Sequence, residues 1–377
     1  MAEEMNDKQD KKRHPLRNAI CAVVFTALVG ATFVWATLAF SMQGSAQNTG
    51  AFAAFYDTPE DSVDVAYIGT SAASRFFVNP QAFEEEGVST FPFGIQNTPL
   101  FLYDNLMDEF QTKQNPEVFV IELRPLLKDG EMLAEENCRR PIDSVSLLSP
   151  NRMGMFEESL QVMSEQLEPG SYDDNKWDYV FPVIKYHGRA TDGTMTVDDL
   201  LLNKPYNTMQ GFACGSVTLS QVALGESKFT DRVGKLTDVQ EEHLQDLLDY
   251  CETLDAHVLF VLAPQVCETY DKSKSLNAIQ KFVEDQGWDC LNFNSDEMFA
   301  KLGLDHTTDF YNKNHCNYLG AEKYTSYLTS YLKDTYNLTD HRGDDTYQQW
   351  VDGYEDYQDF VSKGIKKSSS KEVADEG

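Results

Sequence analysis

The chain has 377 residues, enough for one large domain or two ordinary ones. Lys and Arg total 31 against 61 Asp and Glu, which gives a formal net charge of −30 at pH 7. A charge of this sign repels phosphate backbones, so it argues against nucleic-acid binding and against the binding of a polyanionic polymer over a broad surface. A local basic groove is still compatible with this charge, whose simplest effect is to keep an exposed protein soluble.

The first predicted element is a membrane-spanning helix, because residues 18–40 contain no charged side chain. The run extends about 34 Å as a helix, enough to cross a hydrocarbon core of about 30 Å. The basic residues before it are Lys8, Lys11, Lys12, Arg13 and Arg17, and the next is Arg75. The positive-inside rule predicts a cytoplasmic tail over 1–17, a single-pass plasma-membrane anchor over 18–41 and an extracytoplasmic remainder. A cleaved signal peptide is the alternative, disfavoured because its apolar core usually has about 7–15 residues.

Small residues over 42–58 predict a tether, and the folded domain is expected over 59–340. Residues 63–68 form a short apolar run that Gly69 ends, which is typical of a core strand. The remaining regular elements predicted for the domain are strands at 91–97, 118–123, 257–262 and 289–293 and helices at 100–110, 239–254, 273–285 and 320–331. Strands that alternate with helices predict an α/β fold, a three-layer sandwich around a mainly parallel sheet.

Residues 127–235 have no sustained periodicity and are predicted to be an insertion over the sheet, either a lid or a partner surface. Helical pieces are expected within it, near 156–167 and 177–186. After the last core helix, residues 341–377 are polar and acidic, which predicts a mobile C-terminal tail.

The cysteines leave two interpretations open. Six of the seven lie beyond the predicted span, an even number in a compartment that permits disulfides. Buried free thiols are the equal alternative. The cysteines form no CxxC pair and the histidines are scattered, which argues against a structural zinc site.

Two residues far apart in the chain carry the strongest chemical signal. Ser71 follows the first predicted strand through Gly69 and Thr70, and His315 lies in a loop before the last predicted core helix. Taken singly, such a serine is more often a helix cap and such a histidine an ordinary polar group. Together they indicate an acyl-transfer site, because a neutral imidazole can take the serine proton and helix amides can bind the oxyanion.

These stretches resemble the SGNH, or GDSL-like, hydrolase superfamily over roughly residues 60–335. The similar parts are the apolar anchor, residues 67–71, 118–125, 181–188 and 309–320. More narrowly, the chain looks like the membrane-anchored SGNH proteins of bacterial envelopes, such as the D-alanyl transfer protein of teichoic-acid modification and the alginate-type O-acetylation proteins. The resemblance implies an SGNH/flavodoxin-like fold, no metal or organic cofactor, and a membrane-bound O-acyltransferase as partner.

The resemblance also implies a role for each matching residue. Ser71 would be the nucleophile and its amide an oxyanion donor. Gly94 would supply a second donor amide, and Asn97 a side-chain donor. No clear Gly-x-Asn motif surrounds Asn97, so an ordinary turn asparagine is the alternative there.

The chain departs from the superfamily pattern at Asn312, where members usually have an aspartate three residues before the histidine. Asparagine can accept the ring N–H and fix the tautomer, but it cannot stabilise an imidazolium by charge. Asp309 is the other candidate for orienting the ring, and a helix or turn cap is its structural alternative. The substitution fits either a weakened catalytic site or one that has lost turnover.

Two basic residues complete the predicted site. Arg75 lies one helical turn beyond Ser71, and Arg124 ends the strand at 118–123, at the edge where α/β sheets bind ligands. Either could grip a phosphate or carboxylate of the substrate, and a surface salt bridge is the plainer alternative.

We therefore expect a membrane-anchored, extracytoplasmic serine acyltransferase or esterase that modifies a cell-envelope polysaccharide or teichoic-acid-like polymer. A catalytically weak or inactive scaffold that holds a glycan or a partner in the same cleft is the alternative from a different functional class.

Overall fold

The computed structural model describes residues 15–41, 49–128, 133–203, 206–213, 217 and 225–375. Over these residues the chain is an α/β protein that divides into two compact units. The larger unit comprises Gln43–Val180 and Lys204–Gly377, and the smaller one Met1–Met42 and Phe181–Asn203.

A five-stranded parallel sheet lies at the centre of the larger unit, in the order β2-β1-β3-β4-β5. Its strands are β1 (Val65–Gly69), β2 (Thr90–Gly94), β3 (Val118–Glu122), β4 (His257–Leu262) and β5 (Cys290–Asn292). A separate antiparallel pair follows, formed by β6 (Phe310–Asn312) and β7 (His315–Cys316). In register, Val65 of β1 pairs with Thr90 on one side and with Val118 on the other.

The α-helices of both units, in chain order, are α1 (Pro15–Phe40), α2 (Thr49–Asp57), α3 (Ser71–Phe76), α4 (Asn79–Glu86), α5 (Tyr103–Gln111), α6 (Glu135–Ser144), α7 (Asn151–Gln166), α8 (Lys176–Val180), α9 (Pro182–Tyr186), α10 (Arg189–Asp192), α11 (Val197–Leu200), α12 (Asp238–Cys251), α13 (Tyr270–Asp285), α14 (Asp296–Leu302), α15 (Tyr318–Tyr336) and α16 (Gln348–Asp375). Short 3₁₀ turns occur at Leu100–Leu102, Arg124–Lys128 and Asp345–Tyr347.

The sheet is buried on both faces. Along β1, Ala66 and Ile68 belong to one hydrophobic core, and Val65 and Tyr67 to another, because successive strand residues point to opposite sides. Helices α2, α5, α6, α7, α12 and α13 contribute side chains to the first core, and α3, α14 and α15 to the second. Burial on two faces explains the uninterrupted apolar runs of the strands. The predicted α/β class and parallel sheet are confirmed.

The structure differs from the predicted tether at its C-terminal part, where Thr49–Asp57 form α2. Phe52 and Phe55 of this helix are buried, and both rings contact Phe93 of β2. The helix belongs to the core because its two phenylalanines, three positions apart, share one face. Residues 42–48 lie outside the described part of the chain.

The predicted mobile tail also differs from the structure, since most of it forms α16. Trp350 and Tyr357 are buried, and the Trp350 indole N–H donates to the Thr90 carbonyl at 3.0 Å. The prediction relied on the polar composition and missed a stripe of apolar side chains at helical spacing. These side chains pack against the hydrophobic cores: Trp350, Tyr354, Tyr357 and Val361.

The cysteines described outside α1 are free thiols buried in the cores: Cys138, Cys251, Cys267, Cys290 and Cys316. Burial raises the pKa of Cys267 to about 11 and that of Cys251 to about 12, so these thiols stay protonated and unreactive near neutral pH. Cys214 lies outside the described residues.

The insertion predicted over 127–235 divides between the two units. Its first helices, α6, α7 and α8, belong to the larger unit. Phe181–Asn203 belongs instead to the smaller unit, where α9 and α11 pack against α1. The apolar stretch Leu16–Phe40 within α1 has 25 residues and a mean hydropathy of 2.2, so α1 is long and apolar enough to cross a membrane.

Candidate active site

The candidate site forms at the carboxyl ends of the parallel strands. The sheet order reverses at β1, which has β2 on one side and β3 on the other. Parallel α/β sheets bind ligands in the crevice at such a switch point. Ser71 begins α3 directly after β1, and Arg124 begins the 3₁₀ turn that follows β3. Both side chains therefore lie at this crevice.

Two glycines, Gly69 and Gly94, allow the ends of β1 and β2 to approach each other closely just before Ser71. Gly69 and Gly94 pair across β1 and β2, and a Cβ on Gly94 would lie 1.8 Å from the Gly69 carbonyl oxygen. A Cβ on Gly69 would lie 2.9 Å from the Cβ atoms of Ala73 and Glu122. Only glycine fits at either position, and this close packing fixes where α3 starts.

The turn between β6 and β7 brings His315 to Ser71. The Val266 N–H, just beyond β4, donates to the Lys313 carbonyl at 2.8 Å, and the Arg124 guanidinium donates to the Asn314 carbonyl at 3.1 Å. These bonds tie the turn to the ends of β3 and β4. His315 Nε2 consequently lies 2.9 Å from Ser71 Oγ, within hydrogen-bond distance.

Asn312 binds the other ring nitrogen, with 3.1 Å between its Oδ1 and His315 Nδ1. The same Oδ1 accepts the Asn314 backbone N–H at 2.9 Å, and because an N–H can only donate, this bond fixes the amide orientation. Nδ1 must then carry the ring proton and donate it to Asn312. Nε2 is left as the acceptor of the Ser71 hydroxyl, the tautomer that a general base requires.

Asp309, the other candidate for orienting the ring, belongs to a different cluster. Its Oδ2 accepts the Lys323 ammonium at 2.6 Å and the Asp305 N–H at 2.8 Å, and its Oδ1 accepts the Thr308 hydroxyl at 2.9 Å. The carboxylate closes the turn before β6, in agreement with the cap interpretation. Asn312, not Asp309, holds the His315 ring.

Aromatic rings and arginines surround His315. The Tyr311 ring stacks on the imidazole with centroids 5.6 Å apart, and the Phe76 ring lies 6.1 Å away on a nearly parallel plane. Arg75 donates to the Tyr311 hydroxyl at 2.8 Å, so it supports this stack. Arg124 lies over the Phe76 ring at 4.8 Å.

Burial and the nearby positive charges keep the His315 imidazole neutral. Burial, followed by the positive charges of Arg124, Arg75 and Lys128, lowers the pKa of His315 to about 3. Among the described residues, no carboxylate bonds to the ring to offset these effects. His315 is therefore permanently available as a proton acceptor near neutral pH, but it is a weak base.

Arg124 is held by a buried ion pair. Its Nε lies 3.1 Å from Glu122 Oε1, and the Glu122 side chain is fully buried. Burial raises the pKa of Glu122, and the adjacent guanidinium opposes that rise. The pair joins the last residue of β3 to the first residue of the following 3₁₀ turn, so it fixes the Arg124 side chain at the crevice.

A cavity of about 510 Å³ opens beside the Ser71–His315 pair and contains basic residues that sequence reasoning missed. The missed residues are Lys128, Lys272 and Lys313, which line it together with Arg124, the position that the sequence predicted. Lys313 pairs with Glu268 at 2.7 Å, and the Lys272 ammonium donates to the Asn314 side chain at 3.1 Å. Burial and the neighbouring Arg124 charge lower the pKa of Lys272 to about 8. Its position in the first turn of α13, the helix that follows β4, was the available signal.

The predicted oxyanion donors occupy different places. Asn97 lines the cavity with Ser71 and His315, in the left-handed backbone region at φ 60°, which asparagine tolerates. Gly94 faces Gly69 across the strand pair, and the donor role of its amide stays a prediction. Gln265 also lines the cavity, and its side-chain Nε2 has no hydrogen-bond partner among the described residues although the residue is 3% exposed.

No protein-family model matches the chain, and comparison with curated protein sequences finds no match. The geometry of the site therefore carries the functional assignment.

Proposed function

We propose that this protein is a membrane-anchored, extracytoplasmic serine esterase or O-acyltransferase of the SGNH type, with the three-layer fold of that superfamily. The observation that carries the proposal is the 2.9 Å approach of Ser71 Oγ to His315 Nε2 with Nδ1 bonded to Asn312. Its position at the sheet switch point, beside a cavity, supports the same conclusion.

The proposed reaction has two acyl-transfer steps. Ser71 Oγ attacks the carbonyl carbon of an ester donor while His315 Nε2 takes the serine proton, and the departing alkoxide then receives that proton. An acceptor hydroxyl, or water, then attacks the acyl-serine carbonyl with the same imidazole as base. The acyl–Oγ bond breaks, and the imidazolium returns the proton to Ser71 Oγ. Transfer and hydrolysis differ only in which of these nucleophiles enters.

The oxyanion of each tetrahedral intermediate needs donors near Ser71. Backbone amides at the start of α3 are one source, and the Asn97 side chain is another. The Gln265 amide is a third, because its buried Nε2 has no hydrogen-bond partner among the described residues and would gain one from a substrate oxygen.

The natural acceptor is proposed to be an anionic cell-envelope polymer, such as a teichoic-acid-like chain or an acidic polysaccharide. In a chain of net charge −30, the cavity beside Ser71 has a local excess of basic residues, because Arg124, Lys128, Lys272 and Lys313 line it with Glu268 and Asp271. An ammonium bonded to phosphate or carboxylate is a strong, charge-assisted contact. The acyl donor would come from a membrane-bound O-acyltransferase partner.

Covalent labelling tests the nucleophile and base. We expect the purified full-length chain to react with a fluorophosphonate and to hydrolyse p-nitrophenyl acetate. Ser71→Ala should abolish labelling, and His315→Ala should slow it by about a hundredfold or more. Ser164→Ala, at an exposed serine on α7, serves as the matched control and should label like the wild type. Absence of wild-type labelling would contradict the enzyme.

Charge removal in the cavity tests the anionic acceptor. Lys128→Gln and Lys272→Gln should each raise the KM for glycerol phosphate as acceptor by about tenfold, equivalent to about 1.4 kcal/mol, and leave p-nitrophenyl acetate hydrolysis nearly unchanged. Lys281→Gln is the control, since Lys281 lies on α13 but pairs with Asp285 at the surface. An equal effect of all three variants would argue against a specific anion site.

A non-catalytic scaffold that binds the same polymer is the second candidate. The amide at Asn312 and the weak basicity of His315 favour it, because neither stabilises the imidazolium that forms during turnover. This function would be indicated if the wild type failed to label but bound an anionic oligosaccharide through Lys128 and Lys272.

A further inference from the structure

The smaller unit contains an exposed apolar surface that the proposed enzyme function does not use. Phe181–Asn203, which we call the collar, packs against the C-terminal end of α1 through α9 and α11. Its outward-facing apolar residues are Ile184, Val197, Leu200 and Leu201, of which Val197 is 69% and Leu201 65% exposed. In water, such a group of large apolar side chains would be unfavourable.

The side chains of α1 change from exposed to covered at the point where the collar begins. Residues 16–35 are exposed, a stretch about 30 Å long that matches the hydrocarbon thickness of a bilayer. From residue 36 onward the side chains are covered, and Thr37, Ala39 and Ser41 are nearly inaccessible. The collar therefore starts where a membrane-spanning helix of this length leaves the hydrocarbon.

Specific bonds hold the collar at this level. The Trp35 indole N–H donates to the Leu200 carbonyl at 3.0 Å, and the Phe33 ring contacts the Phe181 ring with centroids 5.0 Å apart. Arg189 donates to the Ser41 carbonyl at 2.7 Å, which satisfies an acceptor at the end of α1, and it pairs with Asp199 at 2.8 Å. The collar is thus fixed to the helix at the depth where tryptophan is enriched in membrane proteins.

We propose that the collar is a lipid-binding surface that lies in the bilayer interface at the C-terminal end of α1, with Val197, Leu200 and Leu201 among the lipid headgroups and upper acyl chains. This inference rests on the membrane-anchor part of the proposed function and is independent of catalysis. The collar has two basic residues, Lys185 and Arg189, and three acidic ones, Asp192, Asp198 and Asp199, for a net charge of −1. Apolar contact, not attraction to anionic lipid, therefore holds it to the membrane.

Depth-dependent fluorescence quenching tests the collar in the full chain. In a Cys21→Ser, Cys214→Ser background, Leu201→Cys or Val197→Cys is labelled with an environment-sensitive dye, and the protein is placed in phosphatidylcholine vesicles at less than one chain per vesicle. Nitroxide lipids labelled near the headgroup should quench either collar probe about twofold more than those labelled near the chain end. Soluble iodide should quench either collar probe less than it quenches a probe at Ser164→Cys, an exposed position of α7, in the same vesicles.

A probe at Val24, near the middle of the exposed stretch of α1, separates the two possible failures. It should show the opposite preference, for nitroxide near the chain end. If the Val24 probe responds in this way while both collar probes respond to iodide alone, the collar does not contact lipid and the inference is wrong. If the Val24 probe does not respond to nitroxide lipid, the anchor itself is overturned, and the collar proposal with it. Neither result alters the serine-labelling test of catalysis.

Discussion

At the residue scale, the pair of Asn312 and His315 determines how the proposed enzyme would work. The Asn312 amide fixes the Nδ1–H tautomer, so Nε2 faces Ser71 unprotonated. The amide adds no negative charge, and burial, followed by the positive charges of Arg124, Arg75 and Lys128, lowers the pKa of His315 to about 3. A base of this kind is correctly protonated over the whole physiological pH range but accepts a proton weakly.

The pH profile and the variant Asn312→Asp test this account. Because the pKa of His315 is about 3, wild-type kcat/KM for p-nitrophenyl acetate should not lose activity through this residue as the pH falls from 7 to about 4. A carboxylate at position 312 would stabilise the imidazolium and raise that pKa. Asn312→Asp should therefore raise kcat by about ten- to a thousandfold and move the acid limb to higher pH.

Asn314→Asp is the control for charge alone. It adds the same charge on the same turn, but the Asn314 side chain binds Lys272 and not the imidazole. An equal rise in kcat in both variants would show that added negative charge on the turn, and not contact with the imidazole, causes the effect. No gain in Asn312→Asp, with an unchanged pH profile, would contradict the role given to Asn312.

Lys272 makes a separate prediction for binding. Its pKa of about 8 lies below the ordinary lysine value, so its positive charge is present below pH 8 and is lost as the pH rises through that value. The KM for an anionic acceptor should therefore increase above pH 8. Lys272→Arg should remove this increase, because a guanidinium stays charged. A wild-type KM that is independent of pH between 7 and 9 would contradict the assignment.

At the scale of elements, α16 completes the cover over one end of the sheet. Trp350 is fully buried, its ring stacks near Phe83 of α4 with centroids 6.0 Å apart, and its indole bonds to the backbone of β2. Helix α16 packs along α4, and the Gly94 end of β2 adjoins the crevice that contains Ser71. The last helix thus stabilises the strand pair from which the site is built.

Trp350→Ala tests this contribution to stability. Loss of the ring and of its hydrogen bond should lower the free energy of unfolding by about 3–5 kcal/mol, measured by denaturant titration of the full chain in detergent. Phe360→Ala, at a 42% exposed position of the same helix, should change it by less than about 0.5 kcal/mol. Similar small effects of both substitutions would show that α16 does not belong to the folded core.

At the scale of the whole molecule, the charge of −30 and the basic cavity act over different distances. Surface repulsion reaches about 30 Å at 10 mM salt but only about 10 Å at 100 mM, whereas the cavity lysines act at contact. The protein is thus expected to repel a long polyanion before a single unit of that polymer reaches the site.

Salt dependence of association tests this balance. The association rate of a long anionic polysaccharide should rise as salt increases from about 10 to about 100 mM, because screening relieves the repulsion. The affinity for glycerol phosphate should fall over the same range, because salt weakens the lysine contacts. A rate that falls steadily for the long polymer would indicate a continuous basic surface, contrary to the composition.

The sequence by itself determined the apolar helix near the N-terminus, the α/β class and the strands, because these depend on local runs of apolar residues and on the order of elements. It also singled out Ser71 and His315, since each follows a recognisable local pattern. Elements with weak local signals were missed, among them α2 and α16, whose buried aromatic residues are spaced within polar or small-residue segments.

Only the tertiary structure decided which residues meet. It brought Asn312 and not Asp309 to the ring of His315, directed Arg75 to Tyr311, and gathered Lys128 and Lys272 at the cavity. It also attached Phe181–Asn203 to α1, which is remote in sequence. The physical reason is that side-chain hydrogen bonds, pKa shifts and cavities arise from groups that folding brings together from distant parts of the chain. Local sequence patterns do not determine which of these groups come into contact.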